Sequence, residues 1–428
     1  MTIAARDFLS DLYARVVAAA HPASCLQAHL PPPPPGRLIL LAAGKAAGSM
    51  TEIAEAHYLD SGLPAARLAG AAVTRHGYAR PTRVLSVVEA GHPVPDAAGL
   101  QAAEDALRLA ADAGRDDLVL VLLSGGASAN WIAPADGVSF PEKQAVTRAL
   151  LRSGAVIDEI NTVRKHLSRI KGGRLAVQAS PAKVLSLAIS DVPGNDPAVI
   201  GSGPSVPDPS TLADARAVVE KYRLDLPDAV RRALAAPENE SPKPDHPAFR
   251  ASEFHLIATP AAAFAAATDA VTQAGYECVF LGDRVEGEAR SIAGQHAALA
   301  REIRAQGRRA VILSGGELTV TIRGQGRGGP NQEYALALAQ ALDGTDGIAA
   351  LAADTDGTDG GAGSADDPAG AVVDGKSASR AREIGLDAAQ FLAQNDSTSF
   401  FERLGDLVNP GPTYTNVNDF RALAIDPR

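Results

Sequence analysis

Short, uninterrupted apolar segments, each ending at glycine or a small polar residue, recur along this chain of 428 residues. The clearest of them cover residues 38–41, 118–123 and 310–313, and residues 183–189 (KVLSLAI) are apolar apart from one lysine and one serine. Strands that are buried on both faces have continuous rather than alternating apolar runs, and helices between them cover the two faces of a parallel sheet. The sequence therefore predicts an α/β fold.

The pattern is interrupted once, at residues 237–247 (PENESPKPDHP), where proline and charged residues leave almost nothing to bury. Such a composition is typical of a linker. We therefore predict an N-terminal Rossmann-like parallel-sheet domain over residues 1–236, a linker over 237–249 and a C-terminal α/β domain over 250–428. Strict alternation over 318–323 indicates a half-exposed antiparallel strand, so the second sheet is expected to be mixed.

Net charge and composition limit the binding partners that this protein can have and the cellular compartment in which we expect it. The formal charge of −10 argues against nucleic acid or an anionic membrane as the main partner, because both require a positive field. Two cysteines, Cys25 and Cys278, fit a reducing cytosol. The N-terminus reads as a docked amphipathic helix rather than a signal peptide, and no run of about 18 apolar residues predicts a membrane span. We expect a cytoplasmic protein; whether it forms a homodimer is left open.

The sequence Ser-Gly-Gly follows an apolar strand in each half of the chain, at residues 124–126 and 314–316. In open α/β sheets ligands bind beyond the carboxyl ends of the strands, so two such loops predict an interdomain cleft. In the first loop, Ser124, Gly125, Gly126 and Ser128 are candidates to bind phosphate or carboxylate through backbone N–H groups. A plain strand-to-helix turn explains the same residues equally well.

Two further segments carry positive charge beside glycines. Lys45, in GKAAGS, could neutralise a transferring phosphoryl group; a surface lysine at a helix start is the alternative. The segment 324–329 matches G-x-G-x-x-G, but the alternating strand before it does not fit a dinucleotide fingerprint. We interpret it as a flexible anion-binding loop with Gly326, Arg327, Gly328 and Asn331 as candidates, against the alternative of a glycine-rich hairpin loop.

Acidic and amide residues follow several of the predicted strands. Asp191, Asp354 and Asp356 are candidates to bind Mg²⁺, which takes one or two carboxylates plus substrate phosphates, and an aspartate could also act as general base. Turn-forming Asp-Gly pairs are the alternative. Asn395 and Asn416 lie in small polar segments that suit either nucleotide loops or plain turns. His76 and His92 lack Cys or His partners at metal spacing, and we interpret them either as structural or as supporting the residues that bind the ligand.

Taken in order, nine segments resemble the glycerate 2-kinase family, which pairs an N-terminal α/β domain with a C-terminal MOFRL domain. They are GKAAGSM at 44–50, GHPVPD at 91–96, LLSGGASA at 122–129, KHLSRIKGGRLA at 165–176, SDVPGNDPAVIGSGP at 190–204, LSGGELTV at 313–320, GRGGPNQE at 326–333, DTDGTDG at 354–360 and GPTYTNVND at 411–419. The order and number of these matches are far more specific than any one of them.

The resemblance implies ATP- and Mg²⁺-dependent phosphorylation of D-glycerate at its 2-hydroxyl, with the site between the domains. It maps the family's lysine to Lys45, and we assign nucleotide contacts to Gly315, Gly316, Glu317, Asn395 and Asn416. Two positions depart from the family pattern. Pro330 stands where many relatives have arginine, which leaves Arg327 to supply that charge, and Ala127 replaces a common glycine.

The resulting hypothesis gives catalytic roles to Lys45, Asp191 and Arg327. Lys45 or Arg327, with backbone N–H groups of the Ser124 loop, holds the glycerate carboxylate. Asp191 or Asp356 binds Mg²⁺, and the other accepts the hydroxyl proton. Two rival functions stay open: an NAD(P)H-dependent hydroxypyruvate reductase, since relatives often carry that label, and a non-catalytic nucleotide- or acid-binding protein.

Overall fold

The computed structural model describes residues 3–361 and 364–427. The predicted domain ranges also include residues 1, 2, 362, 363 and 428, which lie outside the described residues. The strands are β1 (Leu38–Ala43), β2 (Leu68–Arg75), β3 (Ser86–Ala90), β4 (Leu118–Leu123), β5 (Lys183–Ile189), β6 (Ser252–Ala258), β7 (Glu277–Phe280), β8 (Gly287–Glu288), β9 (Ala310–Ser314), β10 (Leu318–Thr319), β11 (Ile348–Asp354), β12 (Gly370–Asp374), β13 (Leu407–Val408) and β14 (Asp419–Ile425).

The helices are α1 (Ile3–Ala20), α2 (Pro22–Cys25), α3 (Ala47–Asp60), α4 (Ala97–Ala111), α5 (Ala127–Asn130), α6 (Phe140–Arg152), α7 (Ile157–His166), α8 (Arg174–Ala179), α9 (Leu212–Lys221), α10 (Asp228–Ala235), α11 (Pro260–Gln273), α12 (Ala289–Ala305), α13 (Pro330–Ala341), α14 (Ser377–Glu383), α15 (Ala388–Ala393) and α16 (Ser397–Leu404). Within the described residues, none of them is both long enough and apolar enough to cross a membrane.

The chain forms two compact units, and each is described by itself. The N-terminal unit contains Cys25–Ile257, and the C-terminal unit contains Met1–Ser24 together with Ala258–Arg428. Helix α1 belongs to the C-terminal unit because its apolar face packs against α11. The predicted domain ranges instead placed residues 1–24 with the N-terminal half. A local pattern shows that a helix has an apolar face, but not which distant surface covers it.

The N-terminal unit is built on a sheet with the order β3-β2-β1-β4-β5-β6. Strand β1 pairs in parallel with β2 on one side and with β4 on the other, and the pairs β2–β3 and β4–β5 are also parallel. Every residue of β1 and β4 is buried, which explains their continuous apolar sequences. The predicted Rossmann-like parallel sheet is confirmed.

Residues 237–249 and strand β6 also lie in the N-terminal unit, whereas the linker was predicted over 237–249 and the second domain from residue 250. Glu240 accepts hydrogen bonds from His166 (3.2 Å) and from the backbone of Leu212 (3.0 Å). Strand β6 then extends the sheet beyond β5. The proline-rich segment is therefore packed through its polar groups, a type of contact that hydrophobic periodicity does not reveal.

The C-terminal unit has a sheet with the order β13-β12-β11-β14-β9-β7. Strand β14 pairs antiparallel with both β11 and β9, while β7 pairs in parallel with β9. The sheet is mixed, as predicted. Its central strand, β14, comes from residues near the end of the sequence and was not recognised as a strand.

The alternating segment 318–323 is not the antiparallel strand that was predicted. Only Leu318–Thr319 is extended in a ladder, and it pairs in parallel with β8. Beyond it, the side-chain oxygen of Asn395 accepts hydrogen bonds from the backbone N–H groups of Arg323 (2.7 Å) and Gly324 (3.0 Å). A side chain therefore satisfies backbone groups that a neighbouring strand would otherwise bind.

Candidate functional site

The order of strands in the N-terminal unit places two glycine-rich loops side by side. The chain runs from β1 outward to β2 and β3, and then returns to β4 on the opposite side of β1. The point where strand order reverses is where open α/β sheets bind ligands, beyond the carboxyl ends of the strands. Gly44 and Lys45 follow β1 there, and Ser124 follows β4.

Hydrogen bonds join these two loops. The backbone N–H of Lys45 donates to the carbonyl of Gly125 over 2.8 Å, and the N–H of Ala46 donates to the Ser124 hydroxyl over 2.9 Å. Gly44 has φ +117°, and a methyl group on it would overlap Ser124. The Ser124 side chain is thus structural, while the loops it joins present Lys45 at their edge.

His92 and Lys45 both lie against Gly126. A Cβ atom on Gly126 would come within 2.9 Å of His92 Cδ2 and 3.4 Å of Lys45 Cγ. Gly126 also has φ +86°, a conformation that favours glycine. The sequence predicted for His92 either a structural role or a role in supporting the residues that bind the ligand, and its GHPVPD segment lies at the edge of the candidate site.

Ser128 lies at the centre of a hydroxyl and cation cluster. Its hydroxyl is 2.7 Å from that of Ser202, and Lys171 donates to its carbonyl (2.7 Å) and hydroxyl (3.0 Å). Arg164 donates to the same carbonyl over 3.2 Å. Sequence reasoning missed Ser202, Lys171 and Arg164. Ser202 and Lys171 lie inside two of the quoted family-like segments, which was the available signal.

Asp191 follows β5, the neighbour of β4, so its backbone reaches the same edge of the sheet. The residue is partly buried. The turn that carries it is fixed by the Ser190 hydroxyl, which accepts the N–H of Val192 over 3.2 Å. The N-terminal unit therefore places Asp191 on the edge that also carries Lys45 and the Ser124–Ser128 loop.

In the C-terminal unit, the acidic loop follows β11. Asp354 accepts the backbone N–H of Asp356 over 2.9 Å, and Asp356 accepts the N–H (2.8 Å) and hydroxyl (3.0 Å) of Thr358. These bonds shape an oxygen-rich turn. Carboxylate oxygens are ligands that Mg²⁺ accepts, so the chemistry of this turn fits the predicted metal role. Among residues 3–361 and 364–427, no group of three or more His, Cys, Asp or Glu side chains could hold a metal ion.

A second carboxylate pair, Asp359 and Asp419, lies at the start of α13. Asn331 donates its side-chain amide to both, at 3.2 Å and 2.6 Å, and the backbone N–H groups of Asn331 and Gln332 donate to Asp359. Sequence reasoning placed Asn331 here as a phosphate ligand but gave no role to either aspartate. Both belong to the family-like segments at 354–360 and 411–419.

Burial dominates the electrostatics of this pair. It raises the pKa of Asp359 to about 7, although the N–H groups of Asn331 and Gln332 oppose the shift. Burial also raises the pKa of Asp419, against the pull of Arg421. Arg421 is fully buried and donates to Asp419 over 2.8 Å and to the Ser314 hydroxyl over 3.2 Å. This network fixes the helix start against the sheet.

The glycine-rich loop at 324–329 is closely packed rather than open. A Cβ atom on Gly324, Gly326 or Gly328 would overlap residues 394, 396 and 397 respectively, and one on Gly329 would overlap Asp359. The glycines are therefore explained by close backbone contact. Arg327 extends from this loop with 61% of its side chain exposed and pairs with Glu402 over 3.0 Å.

The remaining predicted nucleotide contacts are spread over the C-terminal unit. Gly315 and Gly316 follow β9 and pack against Phe264 and Val285, and Glu317 is exposed. Asn395 is buried, and its amide group binds the loop backbone and Glu333 (3.3 Å). Asn416 is also buried and accepts the N–H of Asn418 over 3.2 Å. Their nucleotide-binding roles stay predictions.

Two domain families match this chain. A domain of unknown function, DUF4147, matches residues 8–235, and the MOFRL family matches residues 310–419. A protein of Agrobacterium vitis, whose name assigns it only provisionally as a hydroxypyruvate reductase, is 45% identical over 99% of this chain and 95% of its own length. The D-glycerate 2-kinase of Thermotoga maritima is 39% identical over 96% of this chain and 95% of its own length.

The comparison with solved structures agrees with the comparison of sequences. A crystal structure of glycerate kinase from Thermotoga maritima superposes with a TM-score of 0.85 and 37% sequence identity, and the match covers 99% of this chain and 100% of that one. Sequence and fold thus agree over nearly the full length of both proteins. The chain belongs to the glycerate 2-kinase family, as a member that carries both the DUF4147 and the MOFRL domain.

Proposed function

We propose that this protein transfers the γ-phosphoryl group of ATP to the 2-hydroxyl of D-glycerate. The observation that carries the proposal is the paired loop at Lys45 and Ser124, where the strand order reverses and a cation faces a glycine-rich turn. An anionic substrate requires that combination. The T. maritima relative, a D-glycerate 2-kinase, supplies the specific substrate and acceptor hydroxyl.

The N-terminal unit supplies the groups for the acceptor. Lys45 binds the glycerate carboxylate or the transferring phosphoryl group, and the Ser124–Ser128 loop contributes backbone N–H groups. The 2-hydroxyl oxygen forms a bond to the γ-phosphorus while the bond between that phosphorus and the ADP oxygen breaks. Asp191, on the same edge of the sheet, is the proposed acceptor of the hydroxyl proton.

The C-terminal unit supplies the groups proposed for the nucleotide and the metal. Asp354 and Asp356 would hold Mg²⁺ through carboxylate oxygens, and the ion would neutralise charge on the ATP phosphates when bound. Gly315, Gly316, Glu317, Asn395 and Asn416 are the proposed nucleotide contacts. Arg327 forms an exposed ion pair, a type of contact that contributes little free energy, so it can exchange Glu402 for an anionic ligand.

The reductase alternative has one observation in its favour, the name of the A. vitis relative. Its structural requirement is a dinucleotide fingerprint after a buried first strand. The segment 324–329, which matches that spacing, follows a strand of two residues, and its first three glycines pack against the turn at 394–397. The geometry of this segment therefore favours the kinase.

We also propose that the enzyme works in the cytoplasm, which its cysteine content favours.

A paired assay tests the proposal. One reaction contains purified protein, D-glycerate, ATP and Mg²⁺, and the position of the phosphate on the product is identified. The other contains hydroxypyruvate and NAD(P)H, and cofactor oxidation is followed. Formation of 2-phosphoglycerate with no cofactor oxidation supports the kinase. Cofactor oxidation without phosphoglycerate would overturn it, and activity in neither reaction would favour the non-catalytic binding protein. Chelation of Mg²⁺ should abolish the first reaction and its replacement should restore it.

A further inference from the structure

Two cationic side chains, the buried Lys171 and the partly buried Arg164, converge on one backbone carbonyl in the candidate substrate site. Lys171 is 2% exposed, and its ammonium group lies 2.7 Å from the carbonyl oxygen and 3.0 Å from the hydroxyl of Ser128. Arg164 reaches the same carbonyl oxygen over 3.2 Å. The Ser128 hydroxyl is held from its other side by Ser202. The position of Ser128 is thus fixed by hydrogen bonds from two cationic side chains and by one hydroxyl group.

Neither of these cations has an acidic partner among residues 3–361 and 364–427. The neighbouring Lys165, by contrast, pairs with the buried Asp208 over 3.2 Å. Burial of an ion without a counter-ion carries a large desolvation penalty, and proteins normally pair such charges or bind an ion of opposite sign. The side chains of Lys171 and Arg164 therefore have no acidic partner among the described residues that would stabilise their positive charge.

Without an anion nearby, burial favours the neutral form of Lys171, so the positive charge behind Ser128 depends on the anion that binds there. Burial, followed by the charges of Arg164 and Lys143, lowers the pKa of Lys171 well below its usual range. Burial likewise lowers the pKa of Arg164. Lys171 itself is enclosed, whereas Ser128 and Gly126 are partly exposed. The open side of the loop is consequently where an anion could approach and stabilise both charges.

We infer that Lys171 and Arg164 give the proposed substrate site its preference for a carboxylate, by fixing Ser128 and by supplying positive charge behind it. The inference rests on the proposed function and deepens it: the site selects small 2-hydroxy acids over neutral polyols of the same size. Lys171 acts through Ser128 and is therefore a positioning residue. Lys45 remains the partly exposed cation of the neighbouring loop, which follows β1.

Lys171→Met tests the inference, because methionine keeps the length of the side chain and removes its charge. Lys143→Met is the matched control: Lys143 is equally buried, and among the described residues its ammonium group donates to the carbonyls of Arg164 (2.9 Å) and Leu167 (3.0 Å) and not to Ser128. For Lys171→Met we expect the KM for D-glycerate to rise about tenfold, while kcat and the KM for ATP change by less than about twofold. For Lys143→Met we expect all three constants to stay within about twofold of the unmodified protein.

A melting experiment separates a functional role from a structural one. Because Lys171 is buried with no acidic partner among the described residues, its replacement by methionine should leave the Tm of the free protein unchanged or raise it, since the cost of burying the amine disappears. D-glycerate should raise the Tm of the unmodified protein and raise that of Lys171→Met much less, and glycerol, which lacks the carboxylate, should raise neither.

The outcomes distinguish this inference from the proposed function. If the unmodified protein makes no phosphoglycerate, the proposed function fails, and the melting experiment still tests the inference through binding. Equal D-glycerate shifts in the two proteins, or no shift in the unmodified protein, would overturn the inference. It would also be overturned if Lys143→Met raised the KM for D-glycerate as much as Lys171→Met does, or if Lys171→Met lowered the Tm and raised both KM values together.

Discussion

The side-chain amide of Asn331 lies 2.6 Å from a carboxylate oxygen of Asp419, and both residues are buried. Asn331 is in the first turn of α13, and Asp419 is the first residue of the central strand β14. The same amide also donates to Asp359. One asparagine thus joins a helix start, a central strand and the acidic loop, which fixes the edge of the sheet where the nucleotide and metal contacts are proposed.

The first prediction concerns Asp359 and pH. Its pKa is about 7 in the folded protein, and an unfolded aspartate titrates at about 4, so between these values the folded state binds more protons. Stability contributed by this group is therefore present at low pH and is lost as the pH rises from about 4 to about 7. Urea unfolding across this window should show a downward slope that is smaller in Asp359→Asn, in which only Asp419 of this pair still titrates with a raised pKa.

The same variant has an expected cost at any pH. Both oxygens of Asp359 accept hydrogen bonds, and an asparagine would place a donor against the N–H groups of Asn331 or Gln332. We expect a loss of about 1–3 kcal/mol in the free energy of unfolding. Parallel pH slopes in the two proteins would show that another group titrates in this range.

Arg421 provides the second prediction. Arg421→Met leaves Asp419 buried beside an apolar side chain, and removal of one member of a buried ion pair costs about 3–5 kcal/mol. The exposed pair Arg382–Asp343 gives the control, since Arg382→Met should cost no more than about 1 kcal/mol. Chemical denaturation of both variants measures the difference, and similar losses would contradict the predicted effect of burial.

The third prediction concerns the glycine that joins β1 to the candidate site. Gly44→Ala adds a methyl group that overlaps Ser124 in a left-handed conformation. Gly62→Ala is the matched control, because Gly62 also has a positive φ (+90°), but among the described residues no atom beyond its two chain neighbours lies within 4 Å of the added Cβ. The control should lose about 1–2 kcal/mol from backbone strain alone, and Gly44→Ala should lose more and also impair turnover. Equal losses in urea titrations would mean that contact with Ser124 does not matter.

Lys45 is the subject of the fourth prediction. If its ammonium group stabilises charge on the transferring phosphoryl group, Lys45→Met should lower kcat by about 10²–10³-fold. The far-ultraviolet circular dichroism and Tm should stay close to those of the unmodified protein, because the hydrogen bonds that join the two loops come from backbone N–H groups. A near-normal kcat for Lys45→Met would exclude this role. In the same way, near-normal turnover by Asp191→Asn would exclude Asp191 as the proposed base.

Arg327 gives the fifth prediction, which separates surface stability from function. Because the Arg327–Glu402 pair is exposed, Arg327→Ala and Glu402→Ala should each change the free energy of unfolding by less than about 1 kcal/mol. If Arg327 replaces the arginine that many relatives have at the position of Pro330, only Arg327→Ala should raise the KM for ATP or lower kcat. Steady-state kinetics of the two variants decides the point, and unchanged constants for Arg327→Ala would assign the residue to the surface alone.

Much of the N-terminal sheet could be predicted because its strands are locally distinctive. The bounds predicted for β4 and β5, from apolar runs at 118–123 and 183–189, agree with the structure. Strands β6 and β14 were not recognised, since short strands acquire their identity from partners that are far away in the sequence. For the same reason the docking surface of α1 could not be predicted.

Some residues of the candidate site could be predicted from the sequence and others could not, for the same reason. Part of the site could be predicted because glycine or a charged residue at the end of a buried strand indicates a ligand-binding loop. This applies to Gly44, Lys45 and the Ser124–Ser128 loop. Lys171 lies 43 positions from Ser128, and its charge matters only because folding buries it without an acid. Asp359 likewise looked like part of an acidic turn, and its raised pKa follows from burial beside Asp419.

The sequence by itself determined the α/β class, the strands of continuous apolar residues and the loops that end them, because these depend on local periodicity and on backbone conformations that glycine allows. Only the tertiary structure decided which loops lie side by side, that Lys171 is buried with no acidic partner among the described residues, and which carboxylates share one asparagine. The physical reason is that burial and electrostatic pairing depend on distances between side chains, and those distances exist only after the sheets have assembled.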